Sequence, residues 1–221
     1  MTATGVLFDV DGTLVDTNYQ HVIAWWHAFR SQGHQVPSTT LHRHIGQGAA
    51  RLVTSVLGHP DDDVVTAHSD FYGPFLHQVT AFPAVGDLLR RVREAGLRVA
   101  LATSASKKEA AHLQRAIDSD DVDVVTDKDD AEESKPDPDI LATALEKAGI
   151  AADRALVVGD TVWDVEAARR LGLDCVGVLT GGISADELRD AGAVAVYRDV
   201  AHLLAEYDGS PLAHLNRPRG G

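Results

Sequence analysis

The sequence has little cysteine, few basic side chains and no long apolar run. Cys175 is the only cysteine among the 221 residues, so an intramolecular disulfide is excluded. No apolar stretch is long enough to span a bilayer. Because no basic-then-apolar leader opens the chain, we expect a cytoplasmic protein.

Acidic residues outnumber basic ones, with 33 Asp and Glu against 20 Lys and Arg, and the net charge is −13. Nucleic acids and anionic membranes require a basic surface, so we expect neither as a partner. A small anionic substrate is not excluded, because a local cation can dominate one pocket. The apolar fraction of 44% is ordinary for a globular chain of one or two domains.

Strand and helix patterns alternate from Pro83 onward. Apolar segments such as LRVALAT and ALVVGD predict buried strands, and KKEAAHLQRAI and DPDILATALEKAG have helical spacing. This alternation predicts an α/β fold with a doubly wound parallel sheet. We assign residues 1–16 and 83–210 to this core, and residues 211–221, which lack periodicity, to a flexible tail.

Residues 17–82 show helical patterns alone, which predicts an all-helical insertion after the first strand. Eight of the eleven histidines lie in this insertion. No pair of them has the spacing of a strong zinc motif, so no zinc site is expected.

Two carboxylates and a glycine end the first predicted strand, in GVLFDVDGTLVD. An EF-hand loop is excluded, because it needs glycine at its sixth position and glutamate at its twelfth, where Gln20 stands. Asp9 and Asp11 are either a polar strand end with its turn or part of a reactive site. Gly12 suits a tight turn in both interpretations.

Polar groups also follow other predicted strands. Thr103 and Ser104 lie in ALATSAS, Asp160 and Asp164 lie in VVGDTVWD, and Lys135 lies in ESKPDPD before a helix. Because functional sites of open α/β sheets lie at the carboxyl ends of the strands, we expect these side chains to converge with the first two acids.

Such a set suits phosphoryl transfer. Clustered carboxylates repel one another and need a cation, and hard oxygen ligands favour Mg²⁺. Asp9 and Asp160 would hold it. A carboxylate can attack a phosphoryl group, and a hydroxyl and a lysine would stabilise the equatorial oxygens as charge shifts.

The four motifs resemble those of the haloacid dehalogenase-like superfamily. They are DVDGT, Thr103 at a strand end, KPDPD and GDTVWD, in the family's order. The helical insertion resembles the family's helical cap, as in phosphoglycolate phosphatase and β-phosphoglucomutase. The resemblance covers nearly the whole chain except the tail.

The resemblance implies a role for each motif residue. Asp9 would be the nucleophile and a Mg²⁺ ligand. Asp11 would be the general acid and then the base, and would bind the metal through its backbone carbonyl. Lys135 would pair with Asp9 and the phosphate.

The remaining motif residues would bind phosphate and metal. Thr103 and the Ser104 amide would hold the phosphate. Asp160 would ligate the metal directly, and Asp164 would act through water or by orienting the others.

The resemblance favours a Mg²⁺-dependent phosphatase that hydrolyses a small phosphorylated metabolite through an aspartyl-phosphate. Dehalogenases of the family typically lack the second aspartate, so Asp11 argues against them. A sugar phosphomutase is the alternative, since DTNYQHVIAW resembles β-phosphoglucomutase, but that family's cap arginine falls on Ala49, two places before Arg51. The intact motifs disfavour a non-catalytic binding module.

Substrate selectivity is expected in the insertion. We expect His21 and Arg51 to contact the substrate, with Arg43 and His44 as further candidates, unless these are solvated surface residues. The expected assembly is a monomer or a small homo-oligomer.

Overall fold

A six-stranded parallel sheet forms the centre of the molecule in the computed structural model, which describes residues 3–130, 135 and 137–215. The strands are β1 (Ala3–Phe8), β2 (Arg98–Ala102), β3 (Val124–Thr126), β4 (Ile150–Gly159), β5 (Asp174–Val178) and β6 (Ala195–Tyr197). Their order is β3-β2-β1-β4-β5-β6. The predicted doubly wound α/β fold is confirmed.

Four helices follow β1 before the chain returns to the sheet: α1 (Asn18–Ser31), α2 (Ser38–His44), α3 (Ala49–Leu57) and α4 (Asp62–Tyr72). The later helices are α5 (Val85–Glu94), α6 (Lys107–Ile117), α7 (Asp139–Ala148), α8 (Val162–Arg170), α9 (Ala185–Ala191), α10 (Val200–Ala205) and α11 (Pro211–His214). Within the described ranges, no helix combines the length and apolar character needed to cross a membrane.

Both faces of the sheet are covered, and the strand residues alternate between them. In β1, Val6 and Phe8 pack in one apolar cluster with α5 and α10. Leu7 packs in a second cluster with α7 and α8. Burial on both faces is the reason that the strands are almost continuously apolar.

The helical segment, residues 18–77, has an apolar cluster of its own. Trp25 and Phe29 of α1 are buried there with Leu41, Leu52 and Val64 from the three following helices. This separate core agrees with the predicted all-helical insertion. The division of the chain into a core and an inserted domain stays a prediction.

Two connecting segments join the helical segment to the sheet, and they are hydrogen-bonded to each other. The Asp16 amide donates to the Thr80 carbonyl at 3.0 Å, and the Phe82 amide donates to the Leu14 carbonyl at 2.9 Å. The segment therefore leaves and re-enters the core beside the carboxyl end of β1.

The first residues of the predicted flexible tail form a short helix. Pro211 opens α11, and Leu212 is fully buried in the apolar cluster that contains Val6 and Phe8. A single well-placed leucine anchors this turn, and burying such a side chain stabilises a fold by about 1.5–3 kcal/mol. Residues 216–221 lie outside the described residues.

Candidate active site

The acidic side chains meet where the strand order reverses, at the carboxyl ends of β1 and β4. Asp9 follows β1 and Asp160 follows β4, and these strands are hydrogen-bonded neighbours. The Asp9 amide donates to the Val158 carbonyl at 2.9 Å, which continues the pairing to the edge. Thr103 follows β2 on the other side of β1. The strand-end convergence expected from the sequence is therefore present.

Three buried carboxylates form the centre of the site. Asp9, Asp160 and Asp164 each offer an oxygen, and these oxygens lie within 4.8 Å of one another. The Lys135 ammonium donates to Asp9 and lies 2.7 Å from Asp164 Oδ1. Lys135 is itself only 2% exposed, so its ion pairs are shielded from water. The cluster thus contains three carboxyl groups and one ammonium, which contacts two of them.

The electrostatics of this cluster favour an additional cation. Burial, together with repulsion from Asp164, raises the pKa of Asp9 to about 7 even though Lys135 opposes the shift. Burial and the charge of Asp9 raise the pKa of Asp160 well above its ordinary value. Both carboxyls thus resist ionisation until positive charge arrives. An all-oxygen donor set of this kind fits a hard divalent metal.

Asp160 is held in place by two side chains that follow β1, one in the loop and one at the start of α1. The Thr13 hydroxyl lies 2.8 Å from Asp160 Oδ1, and Asn18 Nδ2 donates to Asp160 Oδ2 at 2.8 Å. Gly12 has a φ of +80°, and a Cβ there would lie 2.4 Å from Asp160 Oδ2. Only glycine gives the turn its conformation and leaves room for the carboxylate.

Asp164 orients its neighbours more than it faces the cavity. Its Oδ2 accepts from the Thr161 amide at 3.1 Å and the Thr161 hydroxyl at 2.6 Å, in a capping box at the start of α8. Its Oδ1 faces Lys135. This arrangement suits the indirect role expected for Asp164.

Asp11 stands apart from the three clustered acids. The Thr17 hydroxyl donates to its Oδ1 at 2.8 Å, and the Thr103 hydroxyl donates to its Oδ2 at 3.0 Å. His21 Nε2 lies 3.5 Å from Oδ1. Burial would raise the pKa of Asp11, but these partners outweigh burial and lower it.

His21 connects Asp11 to an aromatic stack in the helical segment. His21 Nδ1 lies 3.2 Å from His68 Nε2 on α4. The His68 ring stacks on Trp25 with centroids 3.8 Å apart, and the His21 ring stacks on Tyr72 at 3.9 Å. Burial lowers the pKa of His68 well below its ordinary value, so this imidazole is neutral near pH 7.

A cavity lies between the sheet edge and the helical segment. Asp9, Asp11 and Lys135 line its floor, and Ser104 lines its core side, where the buried Ser104 hydroxyl has no hydrogen-bond partner among the described residues. His21, predicted from the sequence to contact the substrate, lines the opposite side.

The two arginines considered as substrate contacts form ion pairs outside the cavity. Arg51 forms an ion pair with Asp137, which also accepts from Arg170 at 2.9 Å, and Arg51 does not line the cavity. Arg43 forms an ion pair with Glu187 at the start of α9. These arginines join the helical segment to the core.

His44 and Thr103, both predicted to bind substrate or phosphate, have partners within the protein. The His44 ring stacks on Trp163 of α8 with centroids 6.3 Å apart. The Thr103 hydroxyl, expected on phosphate, donates to Asp11 and accepts from the Ala105 amide at 3.1 Å. Both side chains are therefore engaged with the protein itself.

Sequence patterns missed three residues that shape this site. Thr13 lies inside DVDGT, so its place in the motif was a usable signal. Asn18 opens α1, where a polar residue is common, and His68 is one of many histidines on the insertion. Neither offers a pattern that separates it from an ordinary helix residue.

Comparisons with known proteins agree with this geometry. The family model of haloacid dehalogenase-like hydrolases matches residues 3–172. A phosphoglycolate phosphatase of Nitrosospira multiformis is 31% identical over 179 residues, covering 76% of this chain and 79% of the relative. A hydrolase structure from Pseudomonas syringae has a TM-score of 0.88 at 33% identity, covering 94% of this chain and 98% of that one.

A β-phosphoglucomutase structure from Clostridium difficile shares the fold, with a TM-score of 0.82 at 18% identity over 96% of this chain and 98% of the other. The match to the family model covers well over half of the sequence. The chain therefore belongs to the haloacid dehalogenase-like hydrolase family.

Proposed function

We propose that this chain is a Mg²⁺-dependent phosphatase that hydrolyses a small organic phosphomonoester through an aspartyl-phosphate. The observation that carries the proposal is the floor of the cavity. There the Asp9 carboxylate contacts Lys135, and Asp11 is held separately by three donors. Two carboxyls in different environments suit two different tasks.

The first half-reaction forms a bond between an Asp9 oxygen and phosphorus and breaks the ester P–O bond. Asp11 would give its proton to the departing alkoxide. Lys135 would stabilise the charge on the equatorial oxygens, and the unpartnered Ser104 hydroxyl could donate to one of them. Asp9 and Asp160 would hold Mg²⁺, which supplies positive charge next to the phosphoryl group.

The second half-reaction hydrolyses the aspartyl-phosphate. Asp11, now a base, takes a proton from water as the water oxygen attacks phosphorus, and the Asp9–phosphorus bond breaks. Such acid–base help is worth roughly 10²–10⁴-fold in rate. The lowered pKa of Asp11 in the free protein suits the base role. For the acid role, Asp11 would take up a proton from solvent when the anionic substrate binds beside it.

We further propose that residues 17–82 act as a cap over a core formed by residues 1–16 and 83–210. The two connecting segments beside β1 would serve as the hinge, and the Arg51–Asp137 and Arg43–Glu187 ion pairs would favour closure. Closure excludes water while the phosphoryl group is transferred.

Phosphate release from a panel of phosphomonoesters tests the proposal. We expect turnover with Mg²⁺, no turnover in excess chelator, and recovery when Mg²⁺ is restored. Asp9→Asn should abolish turnover, because an amide is a poor nucleophile and a poor metal ligand. The exposed Asp16 offers a matched control, and Asp16→Asn should stay active. A folded Asp9→Asn protein with near wild-type rate would refute the covalent mechanism.

The mutase alternative has one observation against it. A sugar phosphomutase must hold a second phosphate under the cap, which requires a cation there. Ala49 lines the cavity instead, and Arg51 is engaged with Asp137. Supplying β-glucose 1-phosphate with a trace of the bisphosphate separates the two: glucose 6-phosphate appearing much faster than free phosphate would favour the mutase.

A further inference from the structure

Among the described residues, the helical wall of the cavity offers apolar surface and no lysine or arginine. Its apolar part is formed by Trp25, Ile45, Ala49, Leu52 and Val65, the described residues of that character on this side. Ala49 and Val65 are half-buried and supply most of the accessible apolar surface, whereas Leu52, 1% exposed, and Trp25, 3% exposed, back the wall from behind. A leaving group held here must lose water on its apolar side.

The polar groups of the same wall are hydrogen-bonding groups. They are His21, Gln47, His68 and Ser69. His68 packs between Trp25 and Tyr72 and shares a hydrogen bond with His21, and burial lowers its pKa well below the ordinary value. An amide, a hydroxyl and imidazoles suit the hydroxyl groups of a ligand.

The cations near this wall are committed elsewhere. Arg51 contacts Asp137 and Arg43 contacts Glu187, both outside the cavity. On the core side, the exposed Lys128 and the Glu109 carboxylate both line the cavity and carry opposite charges, so this side of the rim adds no net positive charge. Lys135 lies on the floor between two aspartates. The described residues of the helical wall thus offer no lysine or arginine as counter-ion to a carboxylate that enters beneath it, and removing that carboxylate from water is costly.

Building on the proposed phosphatase function, we propose that the preferred substrate is the phosphate ester of an uncharged alcohol, with apolar surface and hydroxyl groups, and not of a hydroxy acid. An amide or hydroxyl group of the ester can form hydrogen bonds with the helical wall, whereas a carboxylate finds no lysine or arginine among its described residues. The selectivity resides in the helical wall, because the floor contacts the phosphate common to both esters.

A matched pair of substrates tests this. Phosphoglycolamide and phosphoglycolate have nearly the same shape, and only the second carries a carboxylate. We expect kcat/KM to be at least about tenfold higher for the amide, since the wall penalises the unpaired charge. Equal values, or a preference for phosphoglycolate, would overturn the inference.

A charge placed in the wall provides the second test. Ser69 lines the cavity and is exposed, so Ser69→Lys adds a cation without burying it. This variant should raise kcat/KM for phosphoglycolate relative to phosphoglycolamide by about tenfold. Ser55→Lys, on an exposed position of α3 outside the cavity, is the control and should leave the ratio unchanged. An unchanged ratio in Ser69→Lys would contradict the inference.

A generic aryl phosphate separates failure of this inference from failure of the phosphatase function. If wild-type protein with Mg²⁺ hydrolyses the aryl ester and favours phosphoglycolate, the substrate class is wrong and the phosphatase stands. If no phosphomonoester releases phosphate, both proposals fall together.

Discussion

Replacing Lys135 by methionine should strongly destabilise the protein. Methionine keeps most of the buried stem, so the change removes the ammonium group and little packing. The Lys135 side chain is 2% exposed, and its partners Asp9 and Asp164 are 9% and 1% exposed. Water therefore cannot solvate the carboxylates that lose the ammonium group.

The expected loss follows from this burial. Removing one partner of a buried ion pair costs about 3–5 kcal/mol, because the other charge is left uncompensated. Here the loss leaves Asp9, Asp160 and Asp164 together without a protein cation. The loss has an upper limit, because an uncompensated carboxylate can take up a proton instead. At pH 7, protonating a carboxyl with the ordinary pKa of 3.8 costs about 4 kcal/mol. The two estimates agree in size.

Urea unfolding in chelator, followed by far-ultraviolet circular dichroism, measures this loss. Lys147→Met is the matched control, because Lys147 pairs with Asp130 at the surface, with side chains 40% and 27% exposed. It should cost under about 1 kcal/mol. Excess Mg²⁺ should restore part of the Lys135→Met loss, since a second cation would face the same acids. A loss below about 1 kcal/mol in chelator would refute this account of the buried charges.

Three other predictions follow from the same geometry. The folded pKa of Asp9, about 7, lies above its ordinary 3.8, so the stability linked to this group is full below pH 4 and is lost as pH rises through 7. In the metal-free protein, this group should lower the free energy of unfolding by up to about 1.4 kcal/mol per pH unit between pH 5 and 7. Asp9→Asn should remove this contribution, and an unchanged pH slope in that variant would contradict the prediction. Asn18→Ala should weaken Mg²⁺ binding about 10–100-fold in calorimetry, because Asp160 loses a donor; unchanged affinity would show that Asn18 does not position this ligand. Arg51→Ala should lower kcat/KM equally for the preferred substrate and an aryl phosphate, by no more than about 1 kcal/mol, because Arg51 contacts Asp137 and not the cavity; a loss confined to the preferred substrate would show direct contact.

The sequence alone determined the sheet, the helical insertion and the convergence of the acids. Strand and helix periods are local properties, and parallel strands place their carboxyl ends at one edge whatever packs around them. Asp9, Asp11, Lys135 and Asp160 could thus be grouped without coordinates. Their motif spacing also identified the family.

Only the tertiary structure decided how the insertion meets the core. Arg43 and Arg51 look like ligand-binding cations in sequence, because nothing local reveals that Glu187 and Asp137 lie opposite them. Asn18 and His68 reach the site through the packing of α1 and α4. Such contacts join residues that are far apart in the chain, and they depend on helix orientation, which no periodic pattern encodes. The charge of the cavity wall was decided in the same way.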